Sequence, residues 1–364
     1  MIAAVVLFWG SLAALAWTHA LYPATVSLAA RVRTRRIAAD DAYLPSVAVI
    51  VTAYNEEGSI DRRLENLRAL DYPPELLEIV VTSDASTDRT EELAEAAGAR
   101  VIRNPRGGKV AAQDAAVRAT EAEVVAFSDA NATWAPDAVR KLVRNFADPR
   151  VAYVCGRLQL ETPDGSNKEG VYWRYELVTR DGESRLGSVT AGNGSIYALR
   201  RADYVEVDPR FGHDLSLPYL MVQHGRRAIY EPQALAYERP TPTNESEYRR
   251  KVRMFEHSWL IVLRGRMLRG QPPGYLLALL SHRHLRYASG LLHLILLGSS
   301  IALVGHVFYA VCLGLQLGLL AAALAGVGIA RYYVLITWAT VVALWNYLRR
   351  GVPATWAPQR EELA

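Results

Sequence analysis

The sequence predicts an α/β domain, with a mostly parallel sheet of Rossmann-like winding, set among apolar helices. Three observations predict it. Short runs rich in Val and Ile alternate with helical patterns between residues 40 and 245. Polar residues stand at the C-terminal ends of those runs. The hydrophobic share of 51% is uneven, collecting at residues 1–22 and again from about 287 to 348.

The opening "MIAAVVLFWGSLAALAWTHALY" has no charge before His19, and Arg31, Arg33, Arg35 and Arg36 follow it. Secretory signals usually begin with basic residues and end at a cleavage site. Here the order is reversed, and basic residues stay on the cytoplasmic side. Residues 1–30 therefore read as a retained transmembrane anchor with its N-terminus outside.

In the domain at 40–245, "SVAVIVTAY" (46–54), "EIVVTSD" (78–84), "RVIRN" (100–104) and "EVVAFSD" (123–129) read as buried parallel strands. Between them Ile60, Leu64, Leu67 and Leu70 recur at helical spacing, and "TEELAEAAGA" and "VAAQDAAVRA" are strong helix formers. Residues 246–285 read as interfacial amphipathic helices, with "QPPGYLLALL" too short to span. Residues 286–350 read as transmembrane helices at about 287–305, 308–327 and 332–348, followed by a tail at 351–364. An anchor plus three spans puts the tail outside, whereas Arg349, Arg350 and Arg360 place it inside. Either one segment falls short or the charge rule is broken.

The net charge of +4 over 364 residues is modest, and much of it comes from Arg clusters beside the apolar blocks. That points to a bilayer surface and away from nucleic acid. Two cysteines, Cys155 and Cys312, exclude a disulfide framework and a cysteine-rich metal site.

Tyr54, Asn55 and Glu56 follow the first strand, Asp84 ends the second with Asp88 beyond, Gly107-Gly108-Lys109 follows the third, and Asp129 ends the fourth. All fall on one edge of the sheet, where such folds bind ligands. Asp88 reads equally well as a turn residue. Gly107-Gly108-Lys109 opens a helix, offering free backbone N–H groups and a cation to a phosphate. Neither the Walker spacing nor a Gly-x-Gly-x-x-Gly fingerprint is present, which excludes those nucleotide loops. Asp129 and Asn131 offer two oxygen ligands that suit Mg2+ or Mn2+ bridging phosphates.

"VIVTAYNEE", "SDASTDRT", "GGK" and "FSDAN", followed by "GNGSIYALRR" (192–201), "HDLSLPYLMVQHGRRAIYEPQALAYE", "EYRRKVRM" (247–254), "SHRHLRY" and "TWAPQR", resemble the membrane-bound inverting glycosyltransferases of family two. These are GT-A folds of the polysaccharide-synthase type. The resemblance covers nearly the whole chain, and its strength lies in the order and spacing of the motifs.

The resemblance implies a hexosyltransferase moving sugar from a nucleotide-diphosphate donor, a UDP-sugar first, to a glycan or a polyprenyl or other lipid-linked acceptor. Ala53, Tyr54 and Glu56 would hold the nucleoside and Asp84 the base. Lys109 would lie near the nucleotide, and Asp129 would contact the ribose and the metal-bound diphosphate. Gly192, Asn193 and Gly194 would form the acceptor-side loop. Asp214 would be the catalytic base, and Arg250 and Arg253 would grip the diphosphate. It further implies a multi-pass protein of the inner (cytoplasmic) membrane, with the catalytic domain in the cytoplasm and cell-surface polysaccharide or glycolipid as product. With so few C-terminal spans, a homo-oligomer or a secretion partner is an open expectation.

The chain departs from the pattern at three positions. Asn131 stands where the metal motif has a second acid. His213 stands where the catalytic pair has its first acid, and three readings of it are open: a metal ligand, a group that tunes Asp214, or a turn filler. Met254 replaces the aromatic of the basic segment, which favours transfer of a single sugar to a lipid. The altered motifs leave one alternative of another class, a non-catalytic membrane sensor of sugar nucleotides. A nucleotidyltransferase is disfavoured because its N-terminal Gly-rich loop is absent.

Overall fold

A computed structural model describes residues 1–160, 171–239 and 244–355. The chain forms two compact units. One comprises Met1–Leu28, Thr241–Arg266 and Leu276–Val352, and the other Ala29–Pro240, Met267–Tyr275 and Pro353–Ala364. The expected tail boundary thus meets a chain that rejoins the sheet unit at Pro353.

The N-terminal helices are α1 (Ile2–Ala16) and α2 (Tyr22–Val32), joined by a π-helical turn at Trp17–Leu21. The sheet unit then runs β1 (Val47–Ala53), α3 (Ile60–Arg68), β2 (Leu77–Asp84), α4 (Thr90–Ala96), β3 (Arg100–Asn104), α5 (Lys109–Ala119) and β4 (Val124–Asp129). It continues with β5 (Thr133–Trp134), α6 (Ala138–Val143), β6 (Val151–Leu160), α7 (Val171–Leu186), β7 (Tyr197–Arg200), α8 (His213–Gln223) and β8 (Arg227–Glu238).

The strands form one sheet in the order β3-β2-β1-β4-β7-β6-β8-β5. The four strands expected from the sequence are its parallel half. The other half is mixed: β7 runs antiparallel to β4 and β6, and β5 antiparallel to β8, while β6 and β8 are parallel.

Side chains alternate across the sheet, as strand geometry requires. Val47, Val49 and Val51 join one buried layer with Ile60, Leu64, Leu67 and Trp134. Ile50 faces the other layer, with Val125, Phe127, Tyr153 and Tyr197. Burying each such large side chain stabilises the fold by about 1.5–3 kcal/mol. Burial on both faces is why these strands are nearly continuous in apolar residues.

The second unit is helical: α9 (Asn244–Arg264), α10 (Pro273–Ala278), α11 (Leu285–Tyr287), α12 (Ser289–Ala302), α13 (Val307–Leu324) and α14 (Gly328–Arg350), with α10 starting in the sheet unit. Ile2–Val32, α13 and α14 are long and apolar enough to cross a membrane. α12, at 14 residues, is about 21 Å long. Alone it falls short of the ~30 Å hydrocarbon core, unlike the expected span at 287–305. It is bent by 65° from the preceding segment, Pro273–Tyr287. That segment, expected to be a simple interfacial helix, carries a π-helical stretch at Leu279–His284. Within this unit Phe8 meets Tyr309 edge-on at 4.8 Å, and Trp259 donates to the Thr340 carbonyl at 2.9 Å. Glu256 accepts from Asn346 at 2.7 Å and from Arg350 at 3.0 Å.

Candidate active site

Thr52 pairs with Thr82 on one side and with Asp129 on the other, so β1, β2 and β4 end at the same edge. The pairing of β4 with β7 reaches only Phe127, opposite Tyr197. Asp129 therefore emerges two residues beyond its antiparallel neighbour, at an open edge that the loop before β7 enters.

Asp84 is buried, and the next residue, Ala85, has a left-handed backbone (φ 62°). Such a conformation in a non-glycine residue is strained by roughly 1–3 kcal/mol and tends to occur where function demands it. One Asp84 oxygen accepts from the backbone N–H of Gly107 at 2.7 Å and of Gly108 at 3.0 Å. The other accepts from Arg106 at 2.5 Å. The expected free N–H groups of Gly107 and Gly108 are therefore already satisfied, which corrects the phosphate-cradle reading of this turn. The Asp84 carboxylate builds the turn that opens α5.

Arg106, which the sequence reading passed over, links this turn to Tyr54. Its guanidinium carbon lies 3.4 Å from the Tyr54 ring centre, a cation–π stack that presents a flat wall. Its place just before Gly107 was the only available signal.

The Lys109 ammonium, at the start of α5, contacts the Asp129 carboxylate. Burial lowers the pKa of Lys109, but the negative charges of Asp129, Asp214 and Glu238 outweigh it, and the net shift is upward. A Cβ on Gly194 would lie 3.5 Å from the Lys109 Nζ and 3.9 Å from an Asp129 oxygen. Behind Asp129 sits Arg63, 1% exposed, which donates to Ser128 at 2.8 Å and stacks on Trp134 at 4.8 Å. Burial lowers its pKa to about 9, against the opposing pull of Asp129. Arg63 is a second residue the sequence did not reveal, because it looks like an exposed polar position on an amphipathic helix.

Glu56 accepts from Ser59 at 2.6 Å. Burial raises its pKa against that bond, and Asp129 and Asp88 add to the rise. Asp88 accepts from the Thr90 backbone at 3.0 Å and hydroxyl at 2.5 Å, and from the Glu57 backbone at 3.2 Å. It thus ties the turn before α4 to the loop after β1. Ala53 is packed in the sheet core, so its side chain has no free face for a nucleoside.

In the Gly192–Asn193–Gly194 loop, Gly192 donates its backbone N–H to the Asp214 carbonyl at 2.7 Å. Asn193 is buried: its amide donates to the Gly156 carbonyl at 2.6 Å and accepts from Ser195 at 3.2 Å and Ile196 at 3.0 Å. The Asn193 side chain therefore shapes the loop. Asp214 is half-buried in the first turn of α8, and its side chain turns back so far that a Cβ on Gly212 would stand 2.7 Å from it.

His213 is buried at 4% exposure, with both ring nitrogens against tyrosine hydroxyls, Tyr197 at 3.0 Å and Tyr204 at 3.3 Å. This removes it as a metal ligand. Among the described residues no three His, Cys, Asp or Glu side chains gather as a metal site. The donor set left is the half-exposed Asp129 carboxylate and the exposed Asn131 amide. Hard ions such as Mg2+ and Mn2+ take few protein ligands beside substrate phosphates and waters, and these two oxygens fit that chemistry.

Contacts thus gather Tyr54, Asp84, Lys109, Asp129 and Gly194 around the α5 N-terminus, and Glu56 and Asp214 act on Asp129 and Lys109 electrostatically. Arg250 and Arg253 belong to the helical unit, on α9. Arg250 is paired to both oxygens of Glu247, at 2.8 and 3.0 Å. Burial lowers the pKa of Arg253, as does Arg250, while Glu256 opposes them.

Residues 48–207 match the model of the family described as glycosyl transferase family 2. The chain is 30% identical over 224 residues to an N-acetylglucosaminyltransferase of Rhizobium meliloti (strain 1021), covering 53% of this chain and 50% of that protein. It is 33% identical over 113 residues to a beta-monoglucosyldiacylglycerol synthase of Synechocystis sp. (strain ATCC 27184 / PCC 6803 / Kazusa), covering 29% of this chain and 24% of that one. The chain spans about half the length of the N-acetylglucosaminyltransferases it matches. Among solved structures it is similar to the mannosyltransferase PcManGT from Pyrobaculum calidifontis, in complex with GDP-Man and Mn2+. That match has a TM-score of 0.75 at 24% identity, over 94% of this chain and 99% of the other. The fold is GT-A.

Proposed function

We propose that this protein is an inverting glycosyltransferase of a membrane, moving a hexosyl group from a nucleotide-diphosphate donor to a glycan or lipid-linked acceptor. The observation that carries the proposal is the Lys109–Asp129 pair, flanked by Gly194 and within the electrostatic reach of Asp214. It brings the turn that opens α5 beside the loop before β7 at one sheet edge. The names of the similar proteins span N-acetylglucosaminyl, glucosyl and mannosyl transfer, and one includes a diacylglycerol lipid acceptor.

In the proposed step the acceptor hydroxyl attacks the anomeric carbon as the bond to the leaving diphosphate breaks, and Asp214 takes the hydroxyl proton. Lys109 offsets charge on the leaving group. A divalent ion held by Asp129 and Asn131 would supply further positive charge to the diphosphate. Tyr54, stacked on Arg106, offers the nucleoside a flat face.

The test incubates the purified full chain in detergent with UDP-GlcNAc, UDP-Glc and GDP-Man, with Mg2+ or Mn2+, and measures nucleotide release and the anomeric configuration of the product. Release with inversion supports the proposal; release with retention overturns the mechanism. The neutral Asn131 beside a lysine-paired Asp129 favours one second reading, a sensor that binds donor without turning it over. Donor binding with no nucleotide release at any metal concentration would establish that reading instead.

A further inference from the structure

The His213 imidazole lies in an aromatic box. Phe127 is 5.8 Å from it, Tyr204 5.8 Å and Tyr197 6.3 Å, all edge-on. Its Nδ1 meets the Tyr197 hydroxyl at 3.0 Å and its Nε2 the Tyr204 hydroxyl at 3.3 Å. Two more bonds extend the chain: Tyr204 donates to the Asp114 carboxylate at 2.5 Å, and Gln113 donates its amide to the Tyr197 oxygen at 3.2 Å.

Proton counting gives this chain one direction. Tyr204 has a single hydroxyl proton, and Asp114 takes it. The Tyr204 oxygen can then only accept, so His213 Nε2 carries a proton. A neutral imidazole leaves Nδ1 bare, and it accepts the Tyr197 proton. The Tyr197 oxygen accepts from Gln113. Both ring nitrogens and both tyrosine hydroxyls are used, and a satisfied buried polar network rigidifies its surroundings. Protonating the ring would bury a charge in this box and turn Nδ1 into a second donor.

The two ends of the series lie on one helix, and its middle lies on another. Gln113 and Asp114 are on α5, the helix opened by Gly107, Gly108 and Lys109. His213 begins α8, and the next residue is Asp214. We propose that His213 is a positioning residue: as a neutral Nε2–H imidazole it locks the start of α8, and with it the Asp214 carboxylate, onto the donor-side helix α5. It performs by geometry what an acidic neighbour of the base would do by charge. This rests on the reading of Asp214 as the base.

His213→Phe keeps the aromatic volume and removes both hydrogen bonds. It is expected to lower kcat roughly 10–100-fold, since misplacement of about 1 Å costs on that order, while the donor KM stays within about two-fold. His213→Gln, which can donate and accept, is expected to recover most of the loss. An unchanged kcat in His213→Phe overturns the proposal, as does recovery of that variant by excess Mn2+, which would mark a metal ligand. The tautomer is read separately, by 15N NMR of histidine-labelled protein with His213→Gln as the assignment control. A bare Nδ1 with a protonated Nε2, unmoved by Mg2+, is expected; an Nδ1–H or doubly protonated ring overturns the proposal. If the wild-type protein has no turnover, the proposed function fails, and the NMR result still decides His213.

Discussion

The carbonyl of Ala354 lies where a Cβ on Gly108 would have to stand. Gly108 also has φ of 93°, a region that favours glycine. Two independent constraints therefore hold this position at the mouth of α5. Gly108→Ala is expected to lose about 1–3 kcal/mol of stability and to weaken donor binding. Thermal unfolding and donor titration check both effects, and an unchanged melting temperature would show that the turn and the tail yield easily.

That contact also bears on the side of the tail. The chain leaves the sheet unit at Pro240, re-enters it for Met267–Tyr275 and again at Pro353. If the tail stays with the sheet unit, Thr355 lies on the same side of a bilayer as α3, the side that the basic Arg349 and Arg350 favour; Arg360 lies outside the described residues. Thr355→Cys should react with a membrane-impermeant maleimide from the same side as Glu65→Cys, on the exposed face of α3. Labelling from opposite sides would refute the shared location.

Asp214→Asn is expected to reduce turnover by about 10²–10⁴, the usual worth of a general base, with the donor dissociation constant changed only a few-fold. Single-turnover kinetics and isothermal titration separate the two. Loss of donor binding in step with turnover would assign Asp214 to the donor instead.

Arg253→Ala is expected to lower turnover at every salt concentration if the guanidinium meets the leaving diphosphate. Rescue by vesicles rich in anionic lipid would assign the basic segment of α9 to the membrane surface.

Burial raises the Asp114 carboxyl to about 6 from 3.8, opposed by the Tyr204 bond and by Arg118, with Glu206 adding to the rise. The folded state thus holds this proton more tightly than the unfolded chain does. Its contribution is greatest below about pH 4 and is lost as pH rises through about 6. Asp114→Asn should flatten the melting-temperature profile between those values, as measured by calorimetry. An identical slope in the variant would place the titration elsewhere.

The parallel half of the sheet was legible because strands buried on both faces must be short, branched and apolar, and Val47–Ala53 and Val124–Asp129 are. Tyr54, Asp84, Lys109 and Asp129 were legible as strand-end residues for the same reason. The short antiparallel strands were not, because β7 has four residues and β5 two, and pairing over such lengths is decided by distant partners. α12 was read as a span because hydropathy ignores the bend that precedes it.

The sequence by itself determined the parallel half of the sheet, the edge at which the candidate site lies and the residue types that reach it. These follow from the periodicity of buried side chains, which is a local property. Only the tertiary structure decided how those residues are employed: that Asp84 is consumed by Gly107, Gly108 and Arg106, that Lys109 sits on Asp129, and that His213 faces Tyr197 and Tyr204. Each of these is a hydrogen bond or ion pair between different elements of the fold. Whether a polar group stays open to a ligand depends on whether folding has already supplied its partner.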